Sequence, residues 1–303
     1  MDLAPIALFV YNRPIHTGRV IEALQNNEYA NDSELFIYAD GLKLPQHQPG
    51  FEEVRRIIKN VHGFKKVRVI EREKNYGCAR SIVSGITEVV NTFGKIIVVE
   101  DDVLTSKYFL KFMNEALSMY QSDEKVACIH GYLYPVKVKL PETFFIKGAD
   151  IWGWGTWKRA WDLYEFDARK LLTELNSRQL TKSFDFDGSF GFIKILKDQM
   201  NGKLDTWDIQ WYASTFLQDK LTLYPGRSLV QNIGFDCSGT HCIATNIFSG
   251  EISQIPVRLE RIPIEEDSGA RSAIGSFHKS SKVSLFKKIY RRVRRSISGQ
   301  QRI

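Results

Sequence analysis

The chain lacks the signatures of several large enzyme classes. No GxGxxG follows its first apolar segment and no GxxxxGK[ST] occurs anywhere, which argues against a dinucleotide oxidoreductase and a P-loop NTPase. Only four cysteines occur in 303 residues, Cys78, Cys128, Cys237 and Cys242, with no CxxC pair among them. A chain of this length buries a core without staples, so they read as reduced thiols of a cytosolic protein. Cys237 and Cys242 flank His241, but that spacing matches no common zinc pattern. No stretch approaches the roughly 18–20 apolar residues of a membrane-spanning helix. The opening "MDLAPIALFVYNRP" has an acid and only a short apolar run, the pattern of a first strand and not of a signal peptide. No internal repeat is present.

The chain is also short of basic charge everywhere but at one end. Its formal net charge is +7, from 42 Lys or Arg against 35 Asp or Glu. Eight of the basic residues and none of the acids lie in 282–303, "KVSLFKKIYRRVRRSISGQQRI". The other 281 residues hold 34 basic and 35 acidic side chains, a net charge of −1. No nucleic-acid partner is therefore expected for the body. In the tail, Phe286, Ile289, Val293 and Ile297 recur at helical spacing among Lys and Arg. That pattern suits a basic amphipathic helix on an anionic membrane surface, with a solvated or nucleic-acid-binding tail as the alternatives.

What the chain does have is an alternation of strand and helix signals through its first third. "IALFVYN" (6–12), "SELFIYADG" (33–41), "KVRVIERE" (66–73) and "KIIVVEDD" (95–102) read as strands. "HTGRVIEALQN", "FEEVRRIIKNV" and "GCARSIVSGITEVVNTF" between them read as helices, which together imply βαβ units and a parallel sheet. Ligands of such sheets bind beyond the carboxyl ends of the strands, where Asp40 and Glu100–Asp102 fall. After a helix near 107–121 the chain turns aromatic. "GADIWGWGTWKRAWDLYEF" holds four of six tryptophans, and Trp207 and Trp211 lie in "KLDTWDIQWYASTFL". Trp157 and Trp161, four apart on an expected helix, read as core. Trp152, Gly153 and Trp154 read as a loop whose glycines let backbone approach a ligand.

The segment "KIIVVEDDVL" (95–104) runs a strand apolar on both faces straight into three carboxylates. Like charges so close need a cation or hydrogen-bond donors. Two readings stay open: a strand end whose acids cap the next helix, or an oxygen-ligand site for Mg²⁺ or Mn²⁺ shared with substrate phosphates.

This strand–acid–acid pattern, followed by "SKYFLKFMNEAL", resembles the metal-binding DxD region of GT-A glycosyltransferases. The match is to its Glu-Asp-Asp form, as in N-acetylglucosaminyltransferase I and related bacterial polysaccharide transferases. "LFVYNRP", "FIYADG" and "REKNYGCARSI" are similar to other segments of that family in the same order, and the resemblance covers roughly residues 5–245. It implies an α/β GT-A fold with a Rossmann-like nucleotide-sugar-binding half and an acceptor-binding half. Arg13 would lie next to the nucleotide, Asp40 on its uracil base, and Glu100 and Asp101 on the ribose or transferred sugar. Asp102 would hold the metal, joined by His241. Asp208 in "DTWDIQW" would be the base of an inverting transfer, with Asp205 as the alternative.

The domain reading is a catalytic unit over 1–264, with a nucleotide-sugar half at 1–122 and an acceptor half at 123–264. A linker at 265–281 and the membrane-associating tail at 282–303 would follow. The expected activity is metal-dependent transfer from a UDP-sugar to a glycan or lipid-linked glycan acceptor, on the inner face of the cell membrane. A non-catalytic carbohydrate- or membrane-binding protein on the same fold, or a sugar nucleotidyltransferase, are the alternatives.

Overall fold

The computed structural model describes residues 2–148, 150–236 and 245–281. The first four strands are β1 (Ile6–Val10), β2 (Glu34–Ala39), β3 (Lys66–Glu71) and β4 (Lys95–Glu100). The helices α1 (Pro14–Gln25), α2 (Gln48–Ile58) and α3 (Cys78–Phe93) connect them. β1 pairs in parallel with β2 and β4, and β2 with β3. Ile6, Ala7, Leu8 and Ile96 to Val99 have no exposed surface, as strands covered on both faces require. α3 holds itself against the sheet by Ile82, Ile86, Val89 and Val90, a stripe at helical spacing.

The second half contributes β5 (Val103–Thr105), α4 (Phe109–Met119), β6 (Val126–His130), β7 (Thr143–Ile146), β8 (Trp154–Trp157) and α5 (Lys158–Trp161). These are followed by α6 (Ala168–Ser177), α7 (Thr181–Phe184), α8 (Phe192–Met200), α9 (Asp208–Leu217), β9 (Leu221–Pro225) and β10 (Val230–Asn232). A last helix, α10, covers 268–281 among the described residues. One eight-stranded sheet runs through both halves in the order β3-β2-β1-β4-β8-β6-β9-β7, with β5 and β10 as a separate pair. β8 is antiparallel to both its neighbours and sits in the middle of the sheet. Gly155 makes that insertion fit: a Cβ there would lie 3.1 Å from the Ile96 carbonyl oxygen and 3.2 Å from Leu117. The mixed α/β class and the Rossmann-like first half expected from the sequence are the architecture found.

Three expectations change. The segment 265–281 is no linker: helix α10 occupies most of it, with Ala270, Ile274 and His278 buried, and Glu266 bonds the Lys147 backbone N–H at 2.9 Å. Its Ser-rich composition hides a short apolar stripe that packs onto the acceptor half, so the folded unit extends past residue 264. Trp157 and Trp161 do not share a helix, since Trp157 closes β8 and Trp161 ends α5, although both are core as expected. Trp154 is no loop residue. It is fully buried in β8, stacked on Trp207 with centroids 5.5 Å apart. The tail 282–303 and His241 lie outside the described residues, as do Cys237 and Cys242.

Candidate functional site

The acidic run is a turn between two strands. Glu100 is the last residue of β4, Asp101 and Asp102 form the turn, and β5 begins at Val103. α4 starts only at Phe109, so the acids cap no helix and the first of the two open readings lapses. Arg13, just ahead of Pro14 at the start of α1, reaches across from the end of β1. Its guanidinium bonds Asp101 through Nη2 and through Nε at 3.4 Å, and Asp102 Oδ2 at 3.0 Å. The β1–β4 register, which sets Phe9 opposite Glu100, is what places this arginine beside the turn.

One guanidinium facing three carboxylates leaves the cluster with an excess of negative charge. Burial, followed by the like charges of Asp102, Asp101 and Asp208, pushes the Glu100 carboxyl well above the usual range. The segment 232–236 closes over the cluster from the other side. The Ile233 N–H donates to the Asp102 carbonyl at 2.8 Å, and Asn232 Nδ2 approaches Asp102 Oδ1 at 3.4 Å. Gly234 passes so near that a Cβ would lie 2.2 Å from Asp102 Oδ2, so any larger residue would have to displace the Asp102 carboxylate. His16 Nε2 ties Asp236 at 3.1 Å.

Asp40 is buried at the end of β2, on the same sheet edge, but its carboxylate is spent on structure. It accepts from the N–H groups of Gly41, Tyr76 and Gly77 and from Asn75 Nδ2, all within 2.9–3.1 Å. With its acceptor positions taken, it holds the segment before α3 in place and has little left to offer a base. Asp205 is likewise committed: exposed, it caps α3 by accepting from the Cys78 N–H at 3.1 Å. That sets it apart from Asp208 three residues on. Asp208 opens α9 and accepts from Thr206 Oγ1, and burial raises its carboxyl above the usual range against that bond and the Ile209 backbone N–H.

Asp208 lines a cavity of about 240 Å³ walled by Trp152, Phe190, Phe192, Phe235 and Phe248. Trp152 is thus part of the cavity wall, while Trp154 is not. At the cavity Asp150 joins Asp208 as a second carboxylate, with Tyr134 and His278 of α10 also on the lining. Phe235 belongs both to this wall and to the segment over Asp102, so the two sites adjoin. Sequence reasoning passed over Asp150, Tyr134, Asn232 and His278. "DIWGWG" carried Asp150 in plain view, but the tryptophans drew the reading to the rings.

A divalent cation fits the acidic turn in one way only. Among the described residues no three His, Cys, Asp or Glu side chains converge as a ready cage. Mg²⁺ and Mn²⁺ bound chiefly by a substrate's phosphates need only one or two carboxylates from the protein. The negative charge that one guanidinium leaves over on Glu100, Asp101 and Asp102 supplies hard oxygen donors of that kind.

No family model matches the chain, and no curated protein matches it in sequence. Among solved structures it is similar to the mannosyltransferase PcManGT of Pyrobaculum calidifontis in complex with GDP-Man and Mn²⁺. That likeness has 12% identity and a TM-score of 0.29, over 42% of this chain and 37% of that one. It is also similar to TarS of S. aureus, at 12% identity and a TM-score of 0.35, over 50% of this chain and 28% of that one. The chain thus spans well under half the length of either protein, and likenesses this distant leave the chemistry to this chain's own residues.

Proposed function

We propose that the chain is an inverting glycosyltransferase that moves a sugar from a UDP-sugar to a glycan hydroxyl, with Mn²⁺ or Mg²⁺ at the acidic turn. One observation carries the reading: a charged turn at the carboxyl end of the parallel strands adjoins an aromatic cavity with its own half-buried carboxylate, Asp208. A nucleotide diphosphate suits the first and a sugar acceptor the second. Donor and acceptor would meet where Glu100 and Asp208 feel each other's charge.

Asp102 would hold the cation, which when bound neutralises the charge that develops on the departing nucleoside diphosphate. Arg13, already at the turn, is placed to exchange part of its hold on Asp101 and Asp102 for a phosphate oxygen. Asp208 would take the acceptor hydroxyl's proton. Its raised affinity for protons brings it nearer the working pH and makes it a stronger base than an exposed aspartate. Turnover then rises with pH as Asp208 loses its proton. UDP as the nucleotide rests on the family resemblance, and a lipid-linked glycan as acceptor on the basic tail. A peripheral membrane site rests on the basic tail. No helix among the described residues is long and apolar enough to cross a membrane.

The Arg13 pairing also favours a second reading. A guanidinium that already bonds two of the three acids can stand in for a metal, as in a non-catalytic carbohydrate-binding protein on this fold. Thermal melting against a panel of nucleotide sugars, with Mn²⁺ and with chelator, separates the two, because a ligand selective for the native state raises Tm by mass action. Metal-dependent stabilisation by a nucleotide sugar, with release of the nucleotide on adding acceptor, supports transfer. Stabilisation by no nucleotide would overturn it in favour of the binding protein.

A further inference from the structure

We infer that the aromatic cavity is a sugar-ring site that selects neutral over anionic saccharides, and that Asp150 is the residue that makes the choice. The role of acceptor site rests on the transfer reading, but the selectivity follows from the cavity itself.

Asp150 lies at the cavity with 26% of its side chain still open. Its Oδ1 accepts from the Tyr134 hydroxyl at 2.6 Å and its Oδ2 from the Tyr224 hydroxyl at 2.5 Å. Each carboxylate oxygen offers two acceptor positions, so one remains on each. His130 Nδ1 stands 4.0 Å from Oδ2, too far to fill either. Two neighbouring acceptor positions in a fixed plane match two hydroxyls on adjacent carbons of a sugar ring. The walls suit the rest of such a ring, because its C–H face packs on aromatic surface while its edge carries the hydroxyls. Pockets of this composition, mostly apolar with a few polar groups that orient the ligand, are the usual form of small-molecule sites. At about 240 Å³ the space suits one ring and not an oligosaccharide.

The exclusion of acids comes from charge. Among the described residues lining the cavity there are two carboxylates, Asp150 and Asp208, and no Lys or Arg. Burial already raises both carboxyls, and His278, the basic side chain on that lining, already acts on Asp150, so no lysine or arginine is left to receive a third negative charge. A uronic acid or sugar phosphate would therefore enter against like charge with nothing to pair it.

The test is a ligand-observed NMR titration of the full chain with methyl glucoside, methyl galactoside, methyl mannoside and methyl glucuronide. At least one neutral glycoside should bind saturably, and the glucuronide at least about tenfold more weakly. In Asp150→Asn, checked for an unchanged fold by melting, neutral binding should fall by about tenfold, the worth of hydrogen bonds to a charged group. Glucuronide binding as tight as the best neutral ligand would overturn the inference. So would an unchanged affinity in the variant, or no neutral ligand binding at all. The wild-type comparison stands alone if the variant does not fold. UDP binding with Mn²⁺, measured on the same samples, keeps the two claims apart. If UDP does not bind while neutral glycosides do, the transfer reading fails and the cavity assignment survives.

Discussion

The two sites meet at one sheet edge and are built in opposite ways. The turn at Glu100–Asp102 is a matter of charge: three carboxylates and a guanidinium fixed by strand register, with few rings nearby. The cavity beside it is a matter of shape: rings from β8's approach, α8, α10 and the segment after β10, with two acids set among them. The first can recognise an anion only by way of cations. The second repels anions and keeps water scarce. An enzyme that must seize a diphosphate and then activate a neutral hydroxyl needs both environments, and it needs them adjacent but distinct.

That contrast can be broken experimentally, and the largest effect should come from the cavity side. Asp208→Asn should lower turnover by about 10²–10⁴-fold, the range of general-base catalysis, while leaving nucleotide binding intact. If Asp205→Asn has that effect instead, the base has been assigned to the wrong acid. Next comes the buried tryptophan cluster. Trp154→Ala empties a fully buried position stacked on Trp207 and should cost about 3–5 kcal/mol in a denaturant titration. A loss under 1 kcal/mol would mean that the tryptophan cluster is not core. On the charged side, Asp40→Ala leaves the part-buried N–H groups of Tyr76 and Gly77 without their acceptor. Its expected cost is about 1–3 kcal/mol, with UDP affinity falling only as far as the loop loosens. A selective loss of uridine over guanosine nucleotides would restore the base-contact role to Asp40.

The smallest effect has the opposite sign. Glu100 holds its proton more tightly folded than unfolded, so its ionised form costs stability. That cost is absent at pH below the unfolded value of about 4.3 and complete above the folded one. Glu100→Gln should therefore melt higher than the parent near neutral pH in chelator, with the gap closing as pH falls. Mn²⁺ should narrow the gap by offsetting the same repulsion in the parent. A variant that melts lower at neutral pH would show that the carboxylate is compensated.

Legibility in the sequence follows the same division. The first half could be read because βαβ units repeat a simple code: "IALFV", "LFIYA" and "KIIVVE" are apolar on both faces, and amphipathic helices separate them. The turn acids were legible because they end such a strand. The second half was not, because its elements are short and held by distant partners. β8 is four residues whose tryptophans and glycine look like a loop until β4 and β6 are set on either side. α10 is a Ser-rich segment whose buried residues count only once a surface exists to bury them. Asp205 and Asp208 look alike in "DTWD", and only the cap on α3 and the cavity tell them apart.

The central place of β8 has a consequence for how the chain comes to be folded. As residues leave the ribosome, β1 to β4 can assemble as soon as Glu100 has emerged, but one side of β4 then has no neighbour. Ile96, Ile97, Val98 and Val99 stand at an open, apolar edge until residues 154–157 arrive more than fifty positions later. During that interval the nascent chain carries its own most aggregation-prone surface, and a chaperone or fast synthesis would be needed to keep it from pairing with another copy. Gly155 and its flanking tryptophans then act as a latch. A chain cut short before Trp154 should be insoluble even though every residue of the nucleotide half is present.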